Sequence, residues 1–581
     1  MSFLSRIMLV KSKAHFSTGN RRATDALAEA AFEGTRKKSG TQARSRVAVI
    51  IACFGLVYCV IGGRLVQYGM AMPETVSSIG PADHLMASRP DIVDRNGEIL
   101  ATDIRTVSLY AEPHKIVDAD EAVELLRTVL PDLDTRSTYR KLTSKSRFQW
   151  LRRQLTPKQQ SSILALGIPG VGFRPEKRRF YPGGHTASHI VGHVNIDNRG
   201  IAGMERYIDS QGLADLAAIG MTSDVKLEPV RLSIDLRVQA IVRDVVAEGM
   251  VKYKALAAGA VVLDVHTGEV LAMASVPDYD PNNPAEGAKD GWMNRMSNGT
   301  FEMGSTFKSF TTAMALDSGK VTLRDSFDAT RAIRIGGFTI NDFHGKHRVL
   351  TVPEIFQYSS NIGTAKMADI IGIPGHQEFL TRLGLLTKLE TELPEVKAPT
   401  QPREWKKINS ITISFGHGVS TTPLQTAVAA AALMNGGKLI NPTFLPRSRD
   451  EADAMAKVVV KQSTVDDMRY LFKLNGNDGS GRRALVPGFN VGGKTGTANK
   501  VVNGRYSNTK NFNAFLSAFP IDDPKYVVLT FIDAPETGEG GGRTAGLNAA
   551  PMVGEIIRRS AALLGVKPKF GEDGSALLVS Y

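Results

Sequence analysis

Cysteine is almost missing from this chain: 581 residues contain two, Cys53 and Cys59, both inside one apolar run. The rest of the chain must therefore hold together without disulfides, and thiol catalysis and cysteine-type zinc sites are excluded. A histidine-based metal site lacks its companions too. His185, His189 and His193 recur at i, i+4, i+8, but glycines at 183, 184 and 192 interrupt the helix they would share. No H-E-x-x-H glutamate accompanies them, so packed or surface histidines are expected. Internal repeats and low-complexity tracts are also absent, and a composition 42% hydrophobic and 22% charged excludes wholesale disorder.

Acidic residues are short by thirteen, giving a net charge of +13. The excess is not spread over a face. Residues 1–46 hold ten Lys and Arg against Asp25, Glu29 and Glu33, which accounts for seven of the thirteen. The basic excess is mainly a tail, so no nucleic-acid partner is expected. Long apolar runs are equally scarce, with one exception. "VAVIIACFGLVYCVIGG", Val47–Gly63, carries no charge and as a helix would extend about 26 Å, close to a hydrocarbon core. With "LVQYGMAM" beyond Arg64, the run predicts a transmembrane anchor over 47–68, the N-terminus inside and the bulk of the chain outside. A cleaved signal peptide fits less well, because the basic region before the run is too long. At this length two or three domains are expected.

After the anchor, a first region over about 75–225 opens with "RPDIVDRNGEILATD", where Asn96-Gly97 reads as a hairpin turn. Polar "MTSDVKLEP" marks its end. Next, Val238, Ile241, Val242 and Val245 recur at helical spacing behind a capping Asp235. "AAGAVVLDVHTGEVLAMASV" reads as a hairpin. Three further β-runs, "FNVGGKTGTA", "NFNAFLSAFP" and "YVVLTFID", come late, and "PLQTAVAAAALMNGG" reads as a helix between Pro423 and Gly436. Strands at both ends with helices between them predict a sheet packed on a helical subdomain.

Chemistry enters with "GSTFKSF". Ser305 falls at the start of a helix carrying a Phe307, Phe310, Met314 stripe, where the dipole favours developing negative charge. Lys308, three residues on, shares its face and can act as its base if burial or a neighbouring cation keeps it neutral. Alone, S-x-x-K is also the pattern of a capped surface helix. Two later triplets change that reading: Ser359-Ser360-Asn361 and Lys494-Thr495-Gly496. Together the three sets complete the S-x-x-K, S-x-N, K-T-G signature of penicillin-recognising serine enzymes. Ser359 can relay a proton, and Asn361 can hold a substrate amide and the Lys308 side chain. Lys494 can attract a carboxylate, Thr495 or Thr497 can bind one, and Gly496 permits close approach of a substrate. Backbone N–H groups of Ser305 and Thr497 would form the oxyanion hole. "GFNVGGKT" also matches a P-loop letter for letter, but the β-branched continuation opposes the helix a P-loop needs.

These motifs, with "DIVDRNGEILA", "RRFYPGGHTASHIVGHVNIDNRGIAGMER", "DVHTGEVLAMASVPDYDPNNP" and "GHGVSTTPLQTA", resemble class B penicillin-binding proteins, most of all the septal peptidoglycan D,D-transpeptidases of FtsI type. The resemblance implies an α+β multidomain chain. Its parts are a basic cytoplasmic tail (1–46), one transmembrane helix (47–68), a mixed non-catalytic pedestal of the dimerisation type (75–225), a transpeptidase domain (226–567) and a tail (568–581). The transpeptidase domain should have a central antiparallel sheet flanked by helices plus a helical subdomain. Implied as well are acyl transfer from stem peptides ending in D-Ala-D-Ala, acylation by β-lactams, and no cofactor or metal. Partners would be a SEDS-type lipid II polymerase and other divisome membrane proteins, in the bacterial inner membrane at the septum with the catalytic domain periplasmic. A diaminopimelate stem would suit as acceptor. Met303 stands where the family usually has proline, and Pro90 where glycine is common; neither carries a catalytic group. An elongation-type relative would be longer between the second and third motifs, a carboxypeptidase or β-lactamase usually lacks the pedestal, and a membrane β-lactam sensor carries further spans.

Overall fold

The computed structural model describes residues 51–63, 89–212, 227–287, 292–502, 504–536 and 544–570. Residues 51–63 are helical; the rest of the expected anchor, the basic tail, the 213–226 boundary and nearly all of the final tail lie outside the described residues. Among the described residues no helix is long and apolar enough to cross a membrane.

The second half of the molecule is organised by one five-stranded antiparallel sheet. Its order is Gly492–Val502, Arg505–Phe519, Tyr526–Asp533, Ala257–Asp264, Val270–Val276. Both faces are covered, which is why Ala257–Asp264, Val270–Val276 and Tyr526–Asp533 read as near-continuous apolar runs rather than as alternation. Val261, Leu263, Leu516, Leu529 and Phe531 face one core; Ala260, Val262, Phe515, Val528 and Ile532 face the other. On the second side lie helices Leu236–Lys252 and Ala549–Ser560. The former is capped by Asp235, whose Oδ1 accepts from Arg237 N at 3.0 Å, as its sequence predicts. On the first side lie helices Lys308–Asp317 and Pro423–Ala432, the latter starting at Thr422 and Pro423. The expected Phe307, Phe310, Met314 stripe is too narrow a description: every residue of Lys308–Asp317 is buried.

A second sheet carries the pedestal. Ile99–Ala111 lies between Gln149–Leu155 and Val171–Phe180, with Ile92–Val93 joined through the turn at Gly97 (φ +95°). Asp94 Oδ1 accepts from Asn96 N and Glu98 N at 2.7 and 2.9 Å, which fixes that turn. Val230–Arg231, on the catalytic side of the boundary expected near 225, pairs in parallel with Ile92–Val93 and so completes the pedestal sheet. The strand is short and polar on one side, so only its partner reveals it.

Arg89, Arg179, Asp103 and Glu205 form a buried charge cluster. Arg179 Nε donates to Glu205 Oε1 at 2.6 Å, and Arg89 Nε to Glu205 Oε2 at 2.9 Å. Burial alone would lower the Arg179 pKa; Glu205 and Asp103 outweigh it and raise the value. From here the chain grips the catalytic half. Asn282 Nδ2 donates to Tyr181 O at 2.9 Å and its Oδ1 accepts from Tyr181 N at 3.0 Å. The three spaced histidines serve this contact: His185 meets Asp278, His189 the Trp292 carbonyl and His193 the Tyr279 hydroxyl, and the rings of His189 and His193 both pack edge-on against Tyr279.

Candidate active site

Ser305 sits in a single 3-10 turn, Gly304–Phe307, that runs into helix Lys308–Asp317. Gly304 has φ +54°, and a Cβ there would lie 2.7 Å from the Thr497 carbonyl oxygen. Glycine is therefore required twice over, by conformation and by contact. Gly496 answers from the opposite strand: its Cβ would lie 2.3 Å from the Met303 carbonyl oxygen. The close approach expected of Gly496 is thus made by the turn that carries Ser305, which brings the Ser305 and Thr497 backbones together. Both residues line a cleft of about 1190 Å³.

Ser359 is placed by two helices that meet. Helix Val352–Tyr358 begins with a capping box between Thr351 and Glu354 and ends at Ser359, in the left-handed conformation (φ 58°, ψ 45°). Ser360 then caps the helix that starts at Asn361, accepting from Gly363 N at 3.0 Å; a kink at Gly372 (φ 79°) separates it from a second helix ending at Arg382. A non-glycine residue in this conformation is uncommon, and such strain gathers at functional positions. Asp342 holds the joint: it accepts from Ser360 Oγ at 2.7 Å and Ile362 N at 3.0 Å.

Two lysines converge on the Ser359 hydroxyl. Lys308 Nζ lies 3.1 Å from Ser359 Oγ and Lys494 Nζ 3.0 Å from it; Lys308 also donates to the Ser359 carbonyl. Lys308 is 1% exposed and Lys494 0%. Burial, then the Lys494 charge, holds the Lys308 pKa well below the ordinary lysine value, with Asp342 opposing. Burial lowers Lys494 to about 7. Burial of Lys308 acts in the direction that its expected role as a base requires. Its hydrogen bonds run to Ser359, whereas the i, i+3 spacing pointed to Ser305.

The remaining predicted residues also line the cleft, Gly496 and the buried lysines excepted. Asn361 Nδ2 donates to the Asn341 carbonyl at 2.8 Å. Thr495 Oγ1 lies 2.6 Å from Ser480 Oγ, and Thr497 Oγ1 accepts from Ala545 N at 3.1 Å. Lys494 stands inside strand Gly492–Val502, so "GFNVGGKT" is not a P-loop. That strand is an edge of the sheet, the kind of element to which an extended chain can add.

Sequence reasoning missed several residues here. Asp342 and Ser480 lie in loops without a motif. Glu302 accepts from Gly418 N at 2.8 Å and from the Tyr506 hydroxyl at 3.0 Å, and pairs with His417 Nδ1 at 3.0 Å. Burial would raise the Glu302 pKa, but His417 and the other donors hold it below the ordinary value. Burial and Glu302 push Tyr506 up to about 12. Only the position of Glu302, three before Ser305, hinted at this group.

Residues 258–558 match the Penicillin binding protein transpeptidase domain and residues 84–212 the Penicillin-binding Protein dimerisation domain. The chain is 36% identical over 556 residues to the probable peptidoglycan D,D-transpeptidase FtsI of Caulobacter vibrioides, covering 93% of this chain and 92% of that one. The peptidoglycan D,D-transpeptidase FtsI of Escherichia coli K12 is 30% identical, with 90% and 92% covered. Stage V sporulation protein D of Bacillus subtilis is 29% identical, with 91% and 88% covered. The apo transpeptidase domain of Burkholderia pseudomallei penicillin-binding protein 3 superposes with a TM-score of 0.52 at 30% identity, covering 58% of this chain and 98% of that one. With a serine at the mouth of a cleft backed by two buried lysines, the chain belongs to the class B penicillin-binding proteins and is a serine-type peptidoglycan D,D-transpeptidase.

Proposed function

We propose that this protein cross-links stem peptides during septum synthesis, through an acyl-enzyme on Ser305. The observation that carries the reading is the Ser359 hydroxyl held between Lys308 and Lys494 beside the Ser305 cleft. Ser305 Oγ attacks the penultimate D-Ala carbonyl and its proton passes to neutral Lys308. The oxyanion is met by the Ser305 and Thr497 N–H groups. Collapse breaks the peptide bond; the leaving D-Ala amine takes a proton through Ser359. An acceptor amine on a neighbouring stem, of diaminopimelate type, then attacks the ester, forms the new amide and returns the proton to Ser305. Asn361 orients the donor amide, and Thr495 and Thr497 bind its carboxylate. The donor adds beside the Gly492–Val502 edge strand as an extra strand.

The pedestal (75–225) and the transpeptidase domain (226–567) stand outside the cytoplasmic membrane on a single helix over 47–68. The anchor and the pedestal meet a SEDS-type lipid II polymerase and other divisome membrane proteins. The FtsI-named relatives and the compact span from Ser359 to Lys494 support a septal role over an elongation one.

A reporter penicillin followed by intact mass tests the chemistry. One long-lived adduct in the wild type and none in Ser305→Ala is expected; rapid turnover would make the protein a β-lactamase. For the septal role, depletion is expected to give filaments; rounded cells would assign it to elongation instead.

A further inference from the structure

The charged side chains lining the cleft, among the described residues, are Asp342, Arg482 and Arg483, besides two histidines. Asp342 already accepts from Ser360 Oγ and Ile362 N. The two arginines are exposed on the 3-10 turn Arg482–Ala484. That turn is not a loose rim. Buried Asn475 accepts through its backbone from Gly481 N at 3.2 Å and through Oδ1 from Ser480 N at 3.3 Å. Its Nδ2 donates to the Gly493 carbonyl at 2.6 Å, one residue before Lys494. A Cβ on Gly479 would lie 2.2 Å from Asn475 Oδ1, so the loop is packed to contact. Ser480 Oγ, 2.6 Å from Thr495 Oγ1, ties the same loop to the strand a second time. Ala484, buried, closes its far side. Two cationic side chains are thereby carried into the cleft on a turn tied to the Gly492–Val502 strand.

Near neutral pH this matters, because the lysine closest to Thr495 is not a dependable cation: burial lowers Lys494 to about 7. Guanidinium stays charged throughout the accessible range and binds carboxylate in a fork.

We propose that Arg482 and Arg483 form an anion subsite of the transpeptidase that receives a carboxylate of the stem peptide. This rests on the peptidyl-donor reading above. Two carboxylates could supply the chemistry, the one on the leaving residue and one within the stem.

The test uses full-length protein in detergent and three peptide thioester donors. One carries a thioglycolate leaving group and a free stem carboxylate; the second has the leaving-group carboxylate amidated; the third has the stem carboxylate amidated. A charge-assisted contact is worth about 10- to 100-fold, so R482A/R483A is expected to lose about that factor in kcat/KM with the first donor. The loss should vanish with one amidated donor, and that donor identifies the source. R482K/R483K is expected to restore part of the rate, and thermal melting checks that the variants fold. Equal loss across all three donors, or no loss in R482A/R483A while the wild type turns the donors over, overturns the arginine subsite alone. A wild type that accepts neither donor nor penicillin overturns both readings.

Discussion

At the scale of the residue, the arrangement turns on how two lysines share one hydroxyl. Lys308 is depressed by burial first and by the Lys494 charge second. Removing that charge must raise the Lys308 pKa, since a neighbouring cation disfavours protonation and its loss relieves this. In Lys494→Met the rising limb of the pH–acylation profile is therefore expected at higher pH than in the wild type, as followed by stopped-flow with a reporter penicillin. A limb that stays in place would show that Lys308 is tuned by burial alone. The same two shifts bear on stability. An unfolded chain binds the proton of Lys494 up to the ordinary lysine value, while the folded chain releases it at about 7. Between those values the unfolded state holds more protons, so this group's contribution to folding rises with pH across that window.

At the scale of the element, Ser359 depends on two helix ends. Thr351 starts helix Val352–Tyr358, with Glu354 Oε2 accepting from Thr351 N at 2.9 Å, and Arg348 salt-bridges Glu354 at 2.6 Å. Arg348 and the capping contacts lower Glu354 to about 2, so this cap is present above the ordinary glutamate value and fails as pH falls towards 2. Thr351→Ala is expected to cost about 1 kcal/mol in chemical denaturation and to slow acylation, because the turn bearing Ser359 loses its fixed start. Unchanged stability would mean that the packing of Ile355 and Phe356, both buried, holds the helix without its cap.

At the scale of the whole molecule, the pedestal and the catalytic half are joined by hydrogen bonds between Tyr181 and Asn282 and from Gly203 N to Glu395, beside the buried Glu205 cluster. Arg179→Met would leave Glu205 and Asp103 short of a buried partner. Breaking such a cluster costs about 3–5 kcal/mol, so a marked fall in Tm is expected. Acylation by the folded fraction should stay near the wild-type rate, since no cleft residue is touched. A selective loss of acylation at unchanged Tm would instead make the cluster part of the path from pedestal to active site.

The candidate reacting groups and their order along the chain come from the sequence itself. Ser305, Lys308, Ser359, Asn361 and Lys494 stand in short motifs whose spacing is local, and turn and helix signals at Asn96-Gly97, Asp235 and Pro423 act within a few residues. Three of the five sheet strands were legible because burial on both faces writes a near-continuous apolar run. Tertiary structure alone decided what these groups touch: that Lys308 bonds Ser359, that Gly496 packs on the turn bearing Ser305, that Val230–Arg231 joins the pedestal. It alone brought Asp342 and Arg482 to the cleft from separate loops. Those outcomes depend on contacts between residues tens to hundreds of positions apart, and the pKa values that make the lysines useful come from burial, which only the folded core creates.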